Sequence, residues 1–403
     1  MTAIIRPSKA HGTAAAPPSK SMAHRLLICA GLSDGESVVR GVADSQDMLA
    51  TIDCLRALGT CVEKTGDTVC LRGIRGDTPA GVLGCRECGS TLRFFVPIAL
   101  LRDTPVTLTG SRTLLSRPLG VYESLCRDQG LSFELSPQSL TVCGAIRAGR
   151  FTVAGNISSQ FISGLLFALP LLDADSVIDI LPPVESEPYI RMTLSALERF
   201  GVSAQMLRNH ICVRGGQKYL PQDVRVEGDW SNAAFLDALN LLGGNVQVTG
   251  LSDESLQGDK VYRQYFDLLR RGSPVLDLSD CPDLGPVCMA TAAALHGAKF
   301  TGTRRLREKE SDRCACMAEE LGKFGVRCVT GEDEMTVLPS ALHAPFGTLS
   351  GHNDHRIVMA LSLLLTVTGG EIECAEAVRK SYPDFFAVLQ SLGIEVQFDG
   401  MDS

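Results

Sequence analysis

Six times along the chain a short polar cluster of Gly, Ser, Asn or Asp runs straight into an apolar stretch of helical length. The stretches read PPSKSMAHRLLICAGL from Pro17, CGSTLRFFVPIALL from Cys88 and GNISSQFISGLLFALPLL from Gly155. They continue with GDWSNAAFLDALNLLG from Gly228, PDLGPVCMATAAALHG from Pro282 and GHNDHRIVMALSLLLTV from Gly351. Their starts lie 71, 67, 73, 54 and 69 residues apart. A helix that is apolar on all sides must be buried on all sides. Its N-terminus presents unpaired N–H groups and the positive end of the helix dipole, which suits an anion.

A second signal repeats in step with the first. An amphipathic helix ends in Gly59, Gly130, Gly201, Gly272, Gly325 and Gly393, and an alternating strand follows, as in Val202-Ser-Ala-Gln and Ile394-Glu-Val-Gln. A Gly just past a helix takes the left-handed conformation that side chains resist, and apolar–polar alternation marks a half-buried strand. Each unit therefore predicts strands plus two helices, one apolar and one amphipathic. Three units per domain would bury the apolar helices inside and leave the sheets outside. The expected crossing between domains lies near Glu227-Gly228, with helix N-termini of the two domains facing each other across a cleft.

Length and composition agree with a globular protein of two or three domains: 403 residues, 45 % hydrophobic, 21 % charged. No run of 18 apolar residues marks a membrane span, and the N-terminus lacks a signal or transit pattern, so a cytoplasmic location is expected. A net charge of −8 with 5 % aromatics argues against nucleic-acid binding. The fifteen cysteines are odd in number and scattered, the pattern of reduced thiols serving as small hydrophobes. Cys85-Arg-Glu-Cys88 is the one C-x-x-C; without a second pair or a suitably spaced His, structural zinc is not expected.

Candidate chemistry collects at the helix starts. Lys20, Ser21 and Arg25 follow the Pro17-Pro18 turn and can hold a phosphate or carboxylate, or form an ordinary capping turn. Gly89 allows close backbone approach, beside Ser90 and Thr91. Arg117 precedes Pro118, a residue able to start a helix. Ser158, Ser159 and Gln160 cluster at one N-terminus, and Ser186, Pro188 and Tyr189 at another. Asp283 is the best candidate base, though a helix cap is its plainer role. The run Arg307 to Arg313 is either a solvated face or, if helical, places Lys309 and Arg313 on one side with Glu310 beside them. Asp354, His355 and Arg356 ahead of an apolar helix would need partners or a ligand if buried. Lys380 and Pro383 close the set.

These segments together resemble the 5-enolpyruvylshikimate-3-phosphate synthase family over essentially the whole chain. The motifs, in the family's order, are KSMAHR from Lys20, GSTLR from Gly89, SSQ from Ser158, SEPY from Ser186, Pro282-Asp283, KESDR from Lys309, NDHR from Asn353 and KSYPDF from Lys380. The resemblance implies an α+β fold: a two-domain inverted α/β barrel, each domain from three repeated β/α units with helices inside, closing on its substrates at a hinge. The implied domains are 1–18 with 228–403, where the N-terminal strand completes a sheet, and 19–227. It implies enolpyruvyl transfer from phosphoenolpyruvate to the 5-hydroxyl of shikimate 3-phosphate, by a monomer acting on small anions without metal or organic cofactor. By matching motif, Ser21 and Arg25 would hold the acceptor carboxylate. Ser158, Ser159 and Ser186 would hold its phosphate, with Gln160, Lys309 and Tyr189 near the ring. Lys20, Gly89 and Arg117 would hold the donor phosphate; Arg313, Arg356 and Lys380 its carboxylate, with Gln160 adjoining. Asp283 would take the hydroxyl proton, and Glu310, with Lys20 or Lys380, would move the methylene proton.

The chain departs from the family pattern at Pro18, where Gly is common, at Glu87, where Asn is common, and at Arg305, where Asn is common. Glu87 removes an amide donor and adds a negative charge beside the anion site, which predicts weaker inhibition by the anion glyphosate. The sequence leaves two rivals. One is the related transferase acting on UDP-N-acetylglucosamine, which shares the fold but carries a K-N motif where this chain has Lys20-Ser21. The other is a non-catalytic anion- or RNA-binding repeat protein.

Overall fold

The computed structural model describes residues 1–73 and 81–399. The chain forms two compact units, Pro18–Glu227 and Met1–Pro17 with Gly228–Ser403. Each has its own apolar core, and the two cores share no residue.

The unit Pro18–Glu227 holds helices α1 (Lys20–Leu32), α2 (Gln46–Ala57), α3 (Gly89–Ala99), α4 (Gly120–Gln129), α5 (Ser159–Ala168) and α6 (Glu187–Arg199). The odd-numbered helices are the apolar ones and lie inside. Every residue from Met22 to Gly31 of α1 is buried, and on α3 and α5 only Ser90 and Gln160 are not. The even-numbered helices bury one face, as α6 does with Ile190, Met192, Thr193, Ala196 and Leu197.

Three four-stranded sheets accompany these helices, and each has the same topology. Asp223–Arg225 pairs parallel to Glu36–Arg40, which pairs antiparallel to Thr68–Arg72, which pairs antiparallel to Cys61–Thr65. The second sheet repeats this with Val82–Gly84, Val106–Thr109, Ser139–Cys143 and Ser132–Leu135. The third does so with Arg150–Ala154, Ser176–Leu181, His210–Val213 and Ala204–Leu207. Alternate residues are buried along Glu36–Arg40 and Ser139–Cys143, so each sheet gives one face to the core.

The second unit repeats the plan with α7 (Trp230–Leu241), α8 (Tyr262–Arg271), α9 (Gly285–Ala294), α10 (Arg313–Lys323), α11 (His355–Thr368) and α12 (Phe385–Ser391). Again α7, α9 and α11 are the buried helices; on α11 every residue from His355 to Thr366 is buried. The N-terminal segment belongs here. Thr2–Ile5 lies between Gly370–Glu373 and Val396–Asp399, antiparallel to both, and His11–Ala15 runs parallel to Asn245–Thr249.

The helix-ending glycines follow the sequence pattern with one exception. Gly59, Gly130, Gly201, Gly325 and Gly393 have φ between 71° and 99°. Gly272 has φ 162°, which is extended. There Ser273-Pro274 follow at once, and the chain leaves α8 directly for the strand Val275–Asp277. No helix among the described residues is long and apolar enough to cross a membrane.

Candidate active site

The predicted site residues fall into two groups, one on each unit. In the unit Pro18–Glu227, four helix starts carry most of them. Ser19 caps α1 by accepting from the Met22 amide, which sets Lys20 and Ser21 in the first turn and Arg25 one turn on. Lys20 Nζ donates to Asp47 Oδ2 at 2.9 Å. Arg25 is buried, and its guanidinium donates to Thr193 Oγ1 at 2.8 Å, the Ser21 carbonyl at 2.6 Å, the Tyr189 carbonyl at 2.9 Å and Ser163 Oγ at 3.4 Å. All of these acceptors are neutral, and among the described residues no carboxylate pairs with Arg25. Burial lowers its guanidinium to about 10; even so it stays charged at neutral pH. A buried cation held by neutral oxygens is a place for an external anion.

Gly89, Arg117 and Gln160 come together at the starts of α3 and α5. A Cβ on Gly89 would lie 2.9 Å from Arg117 Nη1, 3.6 Å from Arg93 Nη1 and 3.8 Å from Gln160 Oε1. Only Gly leaves the Arg117 guanidinium its position against the helix start. Gln160 is fixed from both ends of its amide. Its Oε1 accepts from Arg93 Nη1 at 2.7 Å, and its Nε2 donates to Ser90 Oγ at 2.9 Å. Arg93 itself lies over the Phe161 ring, 5.1 Å from the centroid. Ser158 caps α5 through the Gln160 amide, with Ser159 next to it. Ser186 stands at the start of α6 with φ 56°, and Tyr189 follows within the first turn. Pro118 does not begin a helix as its sequence context suggests; α4 starts at Gly120, two residues later.

The second unit gathers Asp283, Lys309, Glu310, Arg313 and Arg356 into one ionic network. Arg313 donates to three carboxylates: Nε to Asp354 Oδ2 at 2.8 Å, Nη1 to Asp283 Oδ1 at 3.1 Å and Nη2 to Glu310 Oε2 at 2.7 Å. Arg356 Nη2 donates to Asp283 Oδ2 at 2.9 Å and to Ser231 Oγ at 3.0 Å, and its Nη1 to the Asp283 carbonyl at 3.0 Å. Lys309 Nζ lies 3.7 Å from Asp283 Oδ1. Burial alone would lower the Arg313 guanidinium, but Asp354, Glu310 and Asp283 together push it above its ordinary value. Burial takes Lys309 down to about 8, against the pull of Asp283. Lys380 Nζ donates to the Asn353 carbonyl.

The structure departs from the sequence pattern at Asp283 and at residues 307–313. Asp283 is not a helix cap: it sits inside the 3₁₀ turn Pro282–Leu284, and neither that turn nor α9 has a side-chain cap. Its carboxylate is directed at the cations. Residues 307–313 are not one helix either. A 3₁₀ turn ends at Glu308, and α10 begins only at Arg313, capped by Asp312 through the Ala315 amide. Lys309 and Arg313 reach Asp283 from a bend rather than from one helical face.

Several partners have no local signature in the sequence. Thr193 and Ser163 hold Arg25 from 168 and 138 residues away. Asp47 partners Lys20 from α2, and Arg93 orients Gln160. Ser231 was visible only as part of the Gly228 helix start. Among the described residues, two groupings have donors a metal could use, His24 with Asp47 and Cys88, and Glu319 with Glu320 and His352.

The sequence profile of the EPSP synthase (3-phosphoshikimate 1-carboxyvinyltransferase) family matches residues 4–389. A 3-phosphoshikimate 1-carboxyvinyltransferase of Clostridium perfringens is 38 % identical over 415 residues, covering 97 % of this chain and 98 % of that protein. One of Clostridium novyi is 38 % identical over 427 residues, covering 96 % and 97 %. Among solved structures, an EPSP synthase from Acinetobacter baumannii superposes with a TM-score of 0.76 at 21 % identity, over 98 % of this chain and 100 % of that one. The enolpyruvyl transferase NikO from Streptomyces tendae gives 0.79 at 15 % identity, over 98 % of each. At such identities the structures speak to the fold, a two-domain α/β architecture, and the sequence relatives to the family. The chain belongs to the EPSP synthase (3-phosphoshikimate 1-carboxyvinyltransferase) family.

Proposed function

We propose that this enzyme transfers the enolpyruvyl group of phosphoenolpyruvate to the 5-hydroxyl of shikimate 3-phosphate, and that the two groups of residues divide the work. The products are 5-enolpyruvylshikimate 3-phosphate and phosphate, a step toward chorismate and the aromatic amino acids. The family membership supports the reaction. The observation that carries the site assignment is the contrast between Arg25, a buried cation with no carboxylate partner among the described residues, and Asp283, a carboxylate held by cations.

Arg25 and Ser21 take the acceptor carboxylate. Ser158, Ser159 and Ser186 take its phosphate, with Gln160, Tyr189 and Lys309 around the ring. Lys20, the Gly89 amide and Arg117 take the donor phosphate, beside Gln160. Arg313, Arg356 and Lys380 take the donor carboxylate. Asp283 removes the proton from the 5-hydroxyl, without which that oxygen is a poor nucleophile. Glu310, in its protonated form and helped by Lys20 or Lys380, protonates the donor methylene, which makes the adjacent carbon electrophilic. The alkoxide oxygen bonds to that carbon, giving a tetrahedral ketal phosphate. The C–O bond to phosphate then breaks with its electron pair going to the phosphate, which takes up a proton equivalent to the one Asp283 removed, while the new methyl group returns a proton to Glu310, restoring the double bond. Cations around the departing phosphate stabilise its charge.

One consequence is specific to this geometry. Arg313 and Arg356 each donate to one oxygen of Asp283, which takes one of the lone pairs on each and makes the carboxylate a weaker base. A donor carboxylate that draws the two arginines to itself frees those lone pairs. Donor binding thereby arms the base, which ties proton removal to a filled donor site.

The reaction sequence uses no metal or organic cofactor. The protein acts in the cytoplasm as a monomer, on small anions and not on nucleic acid. Phosphate release with each substrate omitted in turn tests the reading. Phosphate should appear only with both present; release at a comparable rate from phosphoenolpyruvate alone contradicts transfer. Phosphate release with UDP-N-acetylglucosamine, and not with shikimate 3-phosphate, would shift the assignment to the rival acceptor.

A further inference from the structure

A cluster beside Lys20 has no part in the steps above. His24 lies one turn after Lys20 on α1, Asp47 is in the first turn of α2, and Cys88 caps α3. All three are buried, and their ligand atoms lie within 4.8 Å of one another. His24 Nε2 is 3.7 Å from Cys88 Sγ. Its Nδ1 is 2.7 Å from Thr51 Oγ1, which is 2.8 Å from Thr91 Oγ1. With Nδ1–H donating to Thr51, the Nε2 lone pair faces the sulfur. Asp47 closes the group and holds Lys20 with its Oδ2.

We propose that His24, Asp47 and Cys88 bind one thiophilic divalent cation of the zinc or cadmium class, and that its binding inhibits turnover by drawing Asp47 away from Lys20. A nitrogen, a sulfur and a carboxylate oxygen are the donor set of zinc-type sites. Zinc–nitrogen and zinc–sulfur bonds of about 2.0–2.1 and 2.3 Å at a tetrahedral angle put the two ligand atoms about 3.6 Å apart, close to the separation of Nε2 and Sγ found here. Thr51 supplies the outer hydrogen bond that fixes a ligating imidazole. Water completes the fourth position.

The protonation states fit, at a cost. Burial, then Lys20 and Arg25, hold the His24 imidazole well below its ordinary value, so it is neutral and ready to bind. Burial, then Asp47, push the Cys88 thiol up to about 12. Binding therefore replaces the S–H bond with a metal–sulfur bond and sends the proton to solvent, with no change of oxidation state. Affinity should rise with pH. The cation also meets the Lys20 ammonium: as Asp47 turns to the metal, Lys20 loses that contact and is repelled. Coordination stands on the geometry alone; only the inhibition rests on the role proposed for Lys20.

The test is a cadmium titration of the full chain carrying Cys61→Ser and Cys212→Ser, which remove the exposed thiols. Sulfur-to-cadmium charge-transfer absorption reports binding, and phosphate release reports turnover. One cadmium per chain is expected, with activity lost in step with the absorption and restored by EDTA. Adding Cys88→Ser, whose hydroxyl can still cap α3, should keep turnover and raise the half-inhibiting cadmium concentration at least about tenfold, the lower end of the range for losing even an outer-shell partner. His24→Asn should likewise abolish the absorption. Unchanged absorption and inhibition in both variants, or no stoichiometric binding, overturns the site. Stoichiometric binding through Cys88 without inhibition upholds the site and contradicts the role of Lys20.

Discussion

Arg25 in one unit and Arg313 and Arg356 in the other are held in opposite ways. In Pro18–Glu227, Arg25 is buried among hydroxyl and carbonyl oxygens, and Arg93 donates to Gln160 and the Pro118 carbonyl. In the other unit, Arg313 and Arg356 are equally buried, yet each spends its charge on carboxylates. The first arrangement is a fixed receptor at Arg25: among the described residues that charge has no carboxylate, so it attracts an anion without first breaking an ion pair, whereas Lys20 in the same unit is paired with Asp47. The second is a set of exchangeable pairs: an incoming carboxylate replaces an internal one and releases it for proton work. Binding and proton transfer thus call for different electrostatics, and the repeated β/α unit supports both.

The largest expected effect lies on the exchangeable side. Asp283→Asn keeps the shape and the contacts to one oxygen but cannot accept a proton, and should lower kcat by about 10²–10⁴. Near-normal steady-state turnover in that variant would place the base elsewhere. Stability should separate the two units as well. Arg313→Gln strands Asp354, which is fully buried, and should cost about 3–5 kcal/mol. Arg25→Gln leaves only neutral acceptors short of a donor and should cost less than about 2 kcal/mol. Urea melts that rank the pair the other way would erase the contrast.

Glu310→Gln should slow deuterium exchange from solvent into the methylene of phosphoenolpyruvate by about 10² or more, measured by proton NMR in parallel with turnover. Exchange at the parent rate would take Glu310 out of the proton path. Lys309, at about 8, is charged below that pH and neutral above it. As it loses its charge, kcat/KM for the anionic acceptor should fall above about pH 8, toward tenfold per unit, while Lys309→Arg, charged throughout, removes the decline. A profile unaltered by that substitution assigns the limb to another group. The smallest effect concerns Glu87. Replacing it with Asn should strengthen glyphosate inhibition severalfold, a change of about 1 kcal/mol. An unchanged inhibition constant would mean that the Glu87 carboxylate lies away from the donor site.

What could be read from the sequence is what is written locally. Burial of an apolar helix, a polar cap and a terminal Gly all lie within one stretch of chain, so the repeats of α1, α3, α5, α7, α9 and α11 are visible as patterns. Gly272 misleads because Ser273-Pro274 overrides the usual ending. Candidate site residues could be named because they occupy helix starts, but their partners could not. Arg25 meets Thr193 only after the fold brings α1 and α6 together, and no spacing encodes that contact. Asp283 looked like a cap because Asp before an apolar helix is ordinarily one. Its real partners, Arg313 and Arg356, lie 30 and 73 residues on. Cys88 belongs to a C-x-x-C in the sequence, whereas its neighbour His24 is 64 residues away.

The most direct test of this division of labour is calorimetric binding of shikimate 3-phosphate to Arg25→Gln and Asp283→Asn, with turnover measured on the same preparations. Losing the charged contact at Arg25 should weaken acceptor binding by about 10–10²-fold, since such hydrogen bonds contribute about 1.5–3 kcal/mol. Asp283→Asn should bind the acceptor within about threefold of the parent, a difference under 1 kcal/mol, while turning over far more slowly. If instead Asp283→Asn loses the acceptor and Arg25→Gln keeps it, the assignment of a fixed receptor to one unit and an exchangeable base to the other is wrong.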